Sequence, residues 1–210
     1  MRKHPTWLTG LAAVIWCVAT GQVQAAIVTI DFEPLASSGY GFSYVRDYTE
    51  KGFTFDDPSH NTSIDYLSPS TQNPIYFAGS TSLSNYWKGG VTQLAKVGGG
   101  VFDLLSINLS ELTRYSLQRN SVSFTGIKAN GSSVSQTFML DQVFGFQTFA
   151  FQGFQDLVSV RWSQTAPYHQ FDNVVVNDRM PSVVPEPTSV AIWGLVVFGI
   201  AVGALRRRQP

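Results

Sequence analysis

The sequence predicts an all-β ectodomain, an antiparallel jelly roll or β-sandwich, between two targeting segments. Three observations carry this expectation. No amphipathic helical period is sustained between Ile27 and Asn177. Short β-branched and aromatic runs are instead separated by Gly, Asn, Ser and Pro clusters, as in hairpin-linked strands. Both ends of the chain carry an apolar run beside basic residues.

The first 25 residues read as a signal peptide. Met1-Arg2-Lys3-His4 is a basic n-region and Trp7 to Ala19 an apolar h-region; small residues then allow cleavage after Ala25 or Ala26. The expected partners are the Sec export machinery and signal peptidase. Cys17, the single cysteine, falls inside the h-region, so the exported domain has no disulfide, thiol nucleophile or cysteine metal site. With Arg2, Lys3, Arg206, Arg207, Arg208 and Glu186 set aside, nine basic and thirteen acidic side chains remain, a net charge of about −4. That balance argues against a nucleic-acid partner.

Residues 26–178 form the expected β-sandwich. Ile27 to Phe32 reads as the first strand, Gly52 to Phe55 as another and Ile75 to Ala78 as a third, with long polar loops over Pro34 to Glu50 and Asp56 to Asn73. After Gly98-Gly99-Gly100, a run from Val101 to Leu109 opens a more regular half. Ser121 to Thr125 and Val134 to Leu140 flank Asn130-Gly131, a hairpin signal. Phe149 and Phe151 share one strand face, and Val158, Val160 and Trp162 another. The final strand spans about Gln170 to Val176.

Residues 179–187 make a linker ending in Val184-Pro185-Glu186-Pro187, residues 188–205 a membrane-length apolar run, and residues 206–210 a basic tail with Arg206, Arg207 and Arg208. Eighteen helical residues span about 27 Å, close to the roughly 30 Å hydrocarbon core. Three arginines would cost roughly 8 kcal/mol or more to translocate, so the tail stays cytoplasmic. Pro185 and Pro187 favour an extended entry that a protease can reach. This three-part order resembles the PEP-CTERM sorting signal. The resemblance, which covers Val184 to about Arg208, implies a Gram-negative, exopolysaccharide-producing cell and an exosortase-type membrane transpeptidase as partner. It further implies inner-membrane anchoring before processing, then a place at the cell surface or in the extracellular matrix.

From Gly99 onward, Gly99-Gly100-Val101-Phe102-Asp103-Leu104, Val122 to Gly126, Gln147 to Gly153, Leu157 to Trp162 and Phe171 to Val176 resemble the jelly-roll ectodomains of PEP-CTERM proteins and, more broadly, carbohydrate-binding jelly rolls. The resemblance implies a non-catalytic polysaccharide-binding or structural module. A glycoside hydrolase using two of Asp31, Glu33, Asp56, Asp57, Asp65, Asp103 and Asp172, or an adhesion scaffold, is the alternative. Tyr40, Phe42, Tyr44, Tyr66, Tyr76, Tyr86 and Trp87 include candidates for a sugar-stacking platform, although core packing accounts for most aromatics in a sandwich. Asp31-Phe32-Glu33 near the start and Phe171-Asp172-Asn173 near the end resemble calcium-binding jelly rolls, which implies Asp31, Glu33 and Asp172 as ligands of one structural calcium ion. Asn173 should face away from Asp172 in a regular strand. Solvated or turn-forming carboxylates are the plainer reading of the same residues, and no cofactor is required.

Two histidines remain. Asp56-Asp57-Pro58-Ser59-His60 suits an ordinary turn as well as a metal or acid–base pair, and His169 suits a surface or hydrogen-bonded core position. Asn61, Asn108 and Asn130 begin glycosylation triplets, and the hairpin already explains Asn130. No nucleophile elbow, His-Glu-x-x-His or phosphate loop occurs.

Overall fold

A computed structural model describes residues 26–60, 62–116 and 118–179. The signal-peptide and sorting-tail expectations lie outside the described residues, apart from Ala26 at the start of the first strand. The described residues form thirteen strands: β1 (Ala26–Ile30), β2 (Phe42–Val45), β3 (Tyr48–Glu50), β4 (Phe53–Asp56), β5 (Tyr66–Pro69), β6 (Ser84–Asn85), β7 (Val91–Lys96), β8 (Phe102–Glu111), β9 (Ser121–Lys128), β10 (Ser133–Met139), β11 (Gln147–Ala150), β12 (Leu157–Ser163) and β13 (His169–Asp178). The described residues hold one three-residue 3-10 turn, Glu33–Leu35, and no α-helix.

Ten strands hydrogen-bond in the order β1-β13-β8-β12-β7-β4-β3, with β9 and β10 continuing from β12 and β11 from β8. The two arms meet at one pairing, Leu157 with Phe102. Four strand spacings separate β13 from β4 in that order, about 19 Å if the sheet were flat. Yet Phe55 of β4 stacks on Phe171 of β13 at 5.9 Å, and Phe53 meets Phe102 at 5.3 Å. The sheet is therefore folded onto itself as a sandwich. β2, β5 and β6 form a second small sheet, attached to β13 by a bridge between Leu83 and Phe171.

Alternation drives the layering. In β9, Val122, Phe124 and Gly126 point inward while Ser121 and Ser123 are exposed. Gly126 is needed there because an added Cβ would lie 2.7 Å from Leu157 Cδ2. The expected hairpin is present: Lys128 N donates to Ser132 O at 2.8 Å and Gly131 takes φ 83°.

Several expectations change. Ile75 to Ala78 is not a strand: Asn73 Oδ1 accepts from the amides of Ile75 and Tyr76, 3.2 Å each, and winds a turn. The supposed loops over 34–50 and 56–73 contain β2, β3 and β5. Val158 is 39% exposed and Leu157 takes the inward place, because Asp156 adopts φ 58° and the register shifts between Leu157 and Ser159. Phe149 and Phe151 do both pack on the core.

Phe171 lies within 6.5 Å of Phe32, Phe55, Tyr66 and Trp162, ring centre to ring centre. Phe171→Ala should lower stability by about 3–5 kcal/mol, read as a reduced denaturation midpoint of the domain.

Candidate functional site

The residues expected to hold calcium lie where the chain leaves regular strand. β1 ends at Ile30, two residues short of the expected strand; Phe32 turns left-handed at φ 55° and Glu33 begins the 3-10 turn, so Asp31 and Glu33 lie outside the strand. The burial of the Phe32 ring against Phe55 and Phe171 supplies the energy that holds this turn. Asp31 pairs with Lys51 at 2.9 Å. Glu33 accepts from Ser80 Oγ at 3.2 Å and Thr81 Oγ1 at 3.1 Å.

Asp172 is fully buried and has no cationic partner among the described residues. Its pairing with β8 is interrupted before Val175, and Asn173 takes φ 45°. That bulge turns Asn173 toward its neighbour: Asn173 Nδ2 donates to Asp172 Oδ2 at 2.8 Å, against the expectation that the two would diverge. Burial pushes the Asp172 carboxyl up to about 7; the Ser80 hydroxyl and Asn173 amide oppose this, and the charges of Glu33 and Asp31 reinforce it. Asp31, Glu33 and Asp172 thus share a neighbourhood. Among the described residues, no three His, Asp or Glu groups converge as a ready metal cage.

The Asp57–His60 turn is a second cluster. Asp57 Oδ1 accepts from Ser59 N at 2.9 Å, from Ser59 Oγ and from Val91 N at 3.2 Å; Oδ2 accepts from Asn85 Nδ2 at 2.9 Å and meets His60 Nδ1 at 3.1 Å. Burial would raise this carboxyl, but the Ser59, Asn85 and Val91 hydrogen bonds outweigh it and hold the group below its usual range. Gly90 leaves room for the arrangement, since an added Cβ would lie 2.2 Å from Asn85 Oδ1. Ser, His and Asp are present, yet Ser59 Oγ and Asp57 both contact the same imidazole nitrogen, Nδ1. A relay needs the hydroxyl and carboxylate on opposite nitrogens, so this is a turn.

His169 is 1% exposed, and burial lowers its affinity for a proton to a pKa of about 3, so it is a neutral core residue. Asp103 is tied by Asp156 N, Asn177 Nδ2 and Arg179. Asn108 lies in β8 and bonds Thr148 Oγ1 at 2.8 Å, and Asn130 caps its own turn.

The aromatic candidates divide cleanly. Tyr66 is fully buried against Phe171. Tyr40, Tyr44 and Tyr86 are 74%, 63% and 42% exposed, and Phe42, Tyr76 and Trp87 are half-buried. Tyr44 meets Tyr86 edge-on at 6.4 Å, Tyr86 meets Trp87 at 4.9 Å, and Trp87 stacks flat on His60 at 5.2 Å. Phe42 packs on Tyr76 at 4.9 Å. The base under these rings is fixed by hydrogen bonds. Trp87 Nε1 donates to Ile64 O at 2.9 Å, and buried Asn73 donates to Tyr40 O at 2.7 Å. His60 joins this strip only in the folded chain; its place beside Trp87 has no signal in local sequence.

The fold defines the class, an antiparallel β-sandwich. No protein-family model matches the chain, and no curated protein matches it either. Solved structures with some likeness include a variant of the family 29 carbohydrate-binding module CBM29-2, at 8% identity and TM-score 0.39 over 74% of this chain and 93% of that one. Another is the CBM22-1 xylan-binding domain from Paenibacillus barcinonensis, at 12% identity and TM-score 0.35 over 77% of this chain and all of that one.

Asp172 sets a pH dependence. Its native carboxyl binds a proton more tightly than the unfolded one, whose pKa is about 3.9. The associated stability is complete below about pH 4 and is lost as pH rises through about 7. In chelator, Asp172→Asn should flatten the fall in melting temperature between those limits relative to wild type.

Proposed function

We propose that this domain is a non-catalytic module that binds extracellular polysaccharide, carried by an exported protein that its C-terminal signal sorts to the cell surface or matrix. The observation that carries the binding role is the exposed pair Tyr44 and Tyr86, in edge contact at 6.4 Å and continued by Trp87 and His60 over a hydrogen-bonded base. A sugar ring presents C–H groups on its faces and hydroxyls on its rim. An exposed tyrosine offers an apolar face to the former and a hydroxyl to the latter. Rings fixed before binding lose little entropy on complex formation.

A hydrolase needs two carboxylates flanking the scissile bond. Asp57 and Asp103 instead spend their oxygens on structural hydrogen bonds, and Asp172 is buried. These assignments favour binding without turnover. Against mannohexaose, cellulohexaose, xylan and the producing cell's exopolysaccharide, the double variant Tyr44→Ala/Tyr86→Ala should bind at least tenfold more weakly than wild type. Reducing ends should not be released. Release of reducing ends, or unchanged binding by a folded double variant, overturns the reading. Processing has its own test: an exported form still ending in Arg208-Gln209-Pro210 would exclude cleavage near Pro185-Glu186-Pro187.

We further propose calcium for the Asp31, Glu33 and Asp172 neighbourhood, because its donors are hard oxygens and Asp172 is a buried carboxylate with no counter-cation among the described residues. These residues would hold it, with the Ser80 hydroxyl nearby. The ion would link the turn after β1 to the bulge in β13. At about 100 times its dissociation constant, calcium should add roughly 2.7 kcal/mol to stability. Binding below pH 7 should also release protons, and Asp172→Asn should abolish both effects. Identical melting in calcium and in chelator would reject the site.

A further inference from the structure

A shallow depression of about 360 Å³ is lined by Thr113, Tyr115, Ser116, Gln118, Pro167 and Tyr168, together with Leu112. Tyr115 and Tyr168 are 70% and 36% exposed. Ser116 Oγ is buried and has no hydrogen-bond partner among the described residues, so a polar group remains to be satisfied there. Among the described residues that line the hollow there is no Asp, Glu, Lys, Arg or His, so none is charged near neutral pH. Its size lies at the small end of ligand sites, about 300–1,000 Å³, which suits one or two sugar rings and not a chain.

The depression and the aromatic strip are joined through the main chain. Leu112 N donates to Tyr168 O at 3.0 Å and fastens the two walls. Arg114 N donates to Ile75 O at 3.0 Å, tying one wall to the turn that carries Tyr76, which packs on Phe42 of β2, the strand that carries Tyr44. Beneath them, buried Gln170 donates from Nε2 to both Tyr76 O and Glu111 O, 3.0 Å each, and accepts from Ser82 Oγ at 2.6 Å. One amide therefore positions the strip and the root of the depression together.

We infer that the depression is a terminal subsite of the same glycan surface, taking the neutral end unit of a chain whose preceding sugars lie on the strip. This rests on the glycan-binding reading, and it makes the module a reader of chain ends. The test uses the panel glycan that binds wild type, as a ladder from disaccharide to hexaose and as polymer. Wild type should saturate at one domain per chain at every length, and light endo-cleavage of the polymer should raise its capacity in proportion to new ends. Tyr115→Ala/Tyr168→Ala should lose that dependence on ends and weaken hexaose binding about fivefold or more, with an unchanged melting temperature as the folding control. Capacity that follows polymer mass overturns the inference. So does unchanged binding by this variant while Tyr44→Ala/Tyr86→Ala fails, a result that leaves the glycan surface standing. If no panel member binds wild type, both readings fall.

Discussion

Phe171 is the contact on which the rest of the molecule depends. Its ring is shared by the turn after β1, by β4 and β12 of the opposite arm, and by β5 of the small sheet. Its own N–H and C=O are both paired with Leu83, at 2.8 and 3.0 Å. Side chain and backbone thus tie the turn after β1, the opposite arm of the large sheet and the small sheet to one residue of β13. Large aromatic rings suit this role because each brings extensive apolar area and a preference for edge contacts that interlock layers.

The strand around Phe171 is unusually polar for a core. His169, Gln170 and Asp172 are at most 1% exposed. Burying such groups is costly unless they are hydrogen-bonded. Gln170 is well satisfied, and Gln164 supports the same region by donating to Ser84 Oγ and His169 O at 2.9 Å each. His169 avoids the cost of a buried charge by staying neutral, and its Nδ1 has no partner among the described residues. Among the described residues, the Asp172 charge is met by two hydrogen bonds from Asn173 and by a Ser80 hydroxyl shared with Glu33. The same strand that closes the core therefore carries the group most in need of a cation.

Rigidity under the exposed rings follows from this polar framework. Asn73 links the chain at Tyr40 to the turn at Tyr76, Trp87 is held through its indole N–H, and Asp57 gathers Asn85, Val91 and the Ser59–His60 turn. The turns at Asn73, Trp87 and Asp57 lack ladder hydrogen bonds of their own, and these side chains fasten them, at Asp57 to the strand residues Asn85 and Val91. Buried amides and carboxylates do here what strand pairing does elsewhere, and the surface rings gain defined positions.

The sequence by itself determined what is local. Alternation exposed the β-class, Asn130-Gly131 located the β9–β10 hairpin, and Phe102 to Glu111 and His169 to Asp178 were readable as strands nearly to their ends. Period-two patterning and turn chemistry act over a few residues, so they survive without a fold. Tertiary structure alone decided what depends on distant partners. Ile75 to Ala78 has strand-like composition, but Asn73 makes it a turn; β2, β3, β5 and β6 are too short and mixed to announce themselves before they pair. Tyr66 and Tyr44 look alike in sequence, and only the face of the small sheet separates core from surface. Asp172 and Asn173 were expected to diverge until the bulge in β13 turned them together. A local pattern fixes which side chains alternate, whereas burial, bulges and long-range hydrogen bonds fix which of them meet.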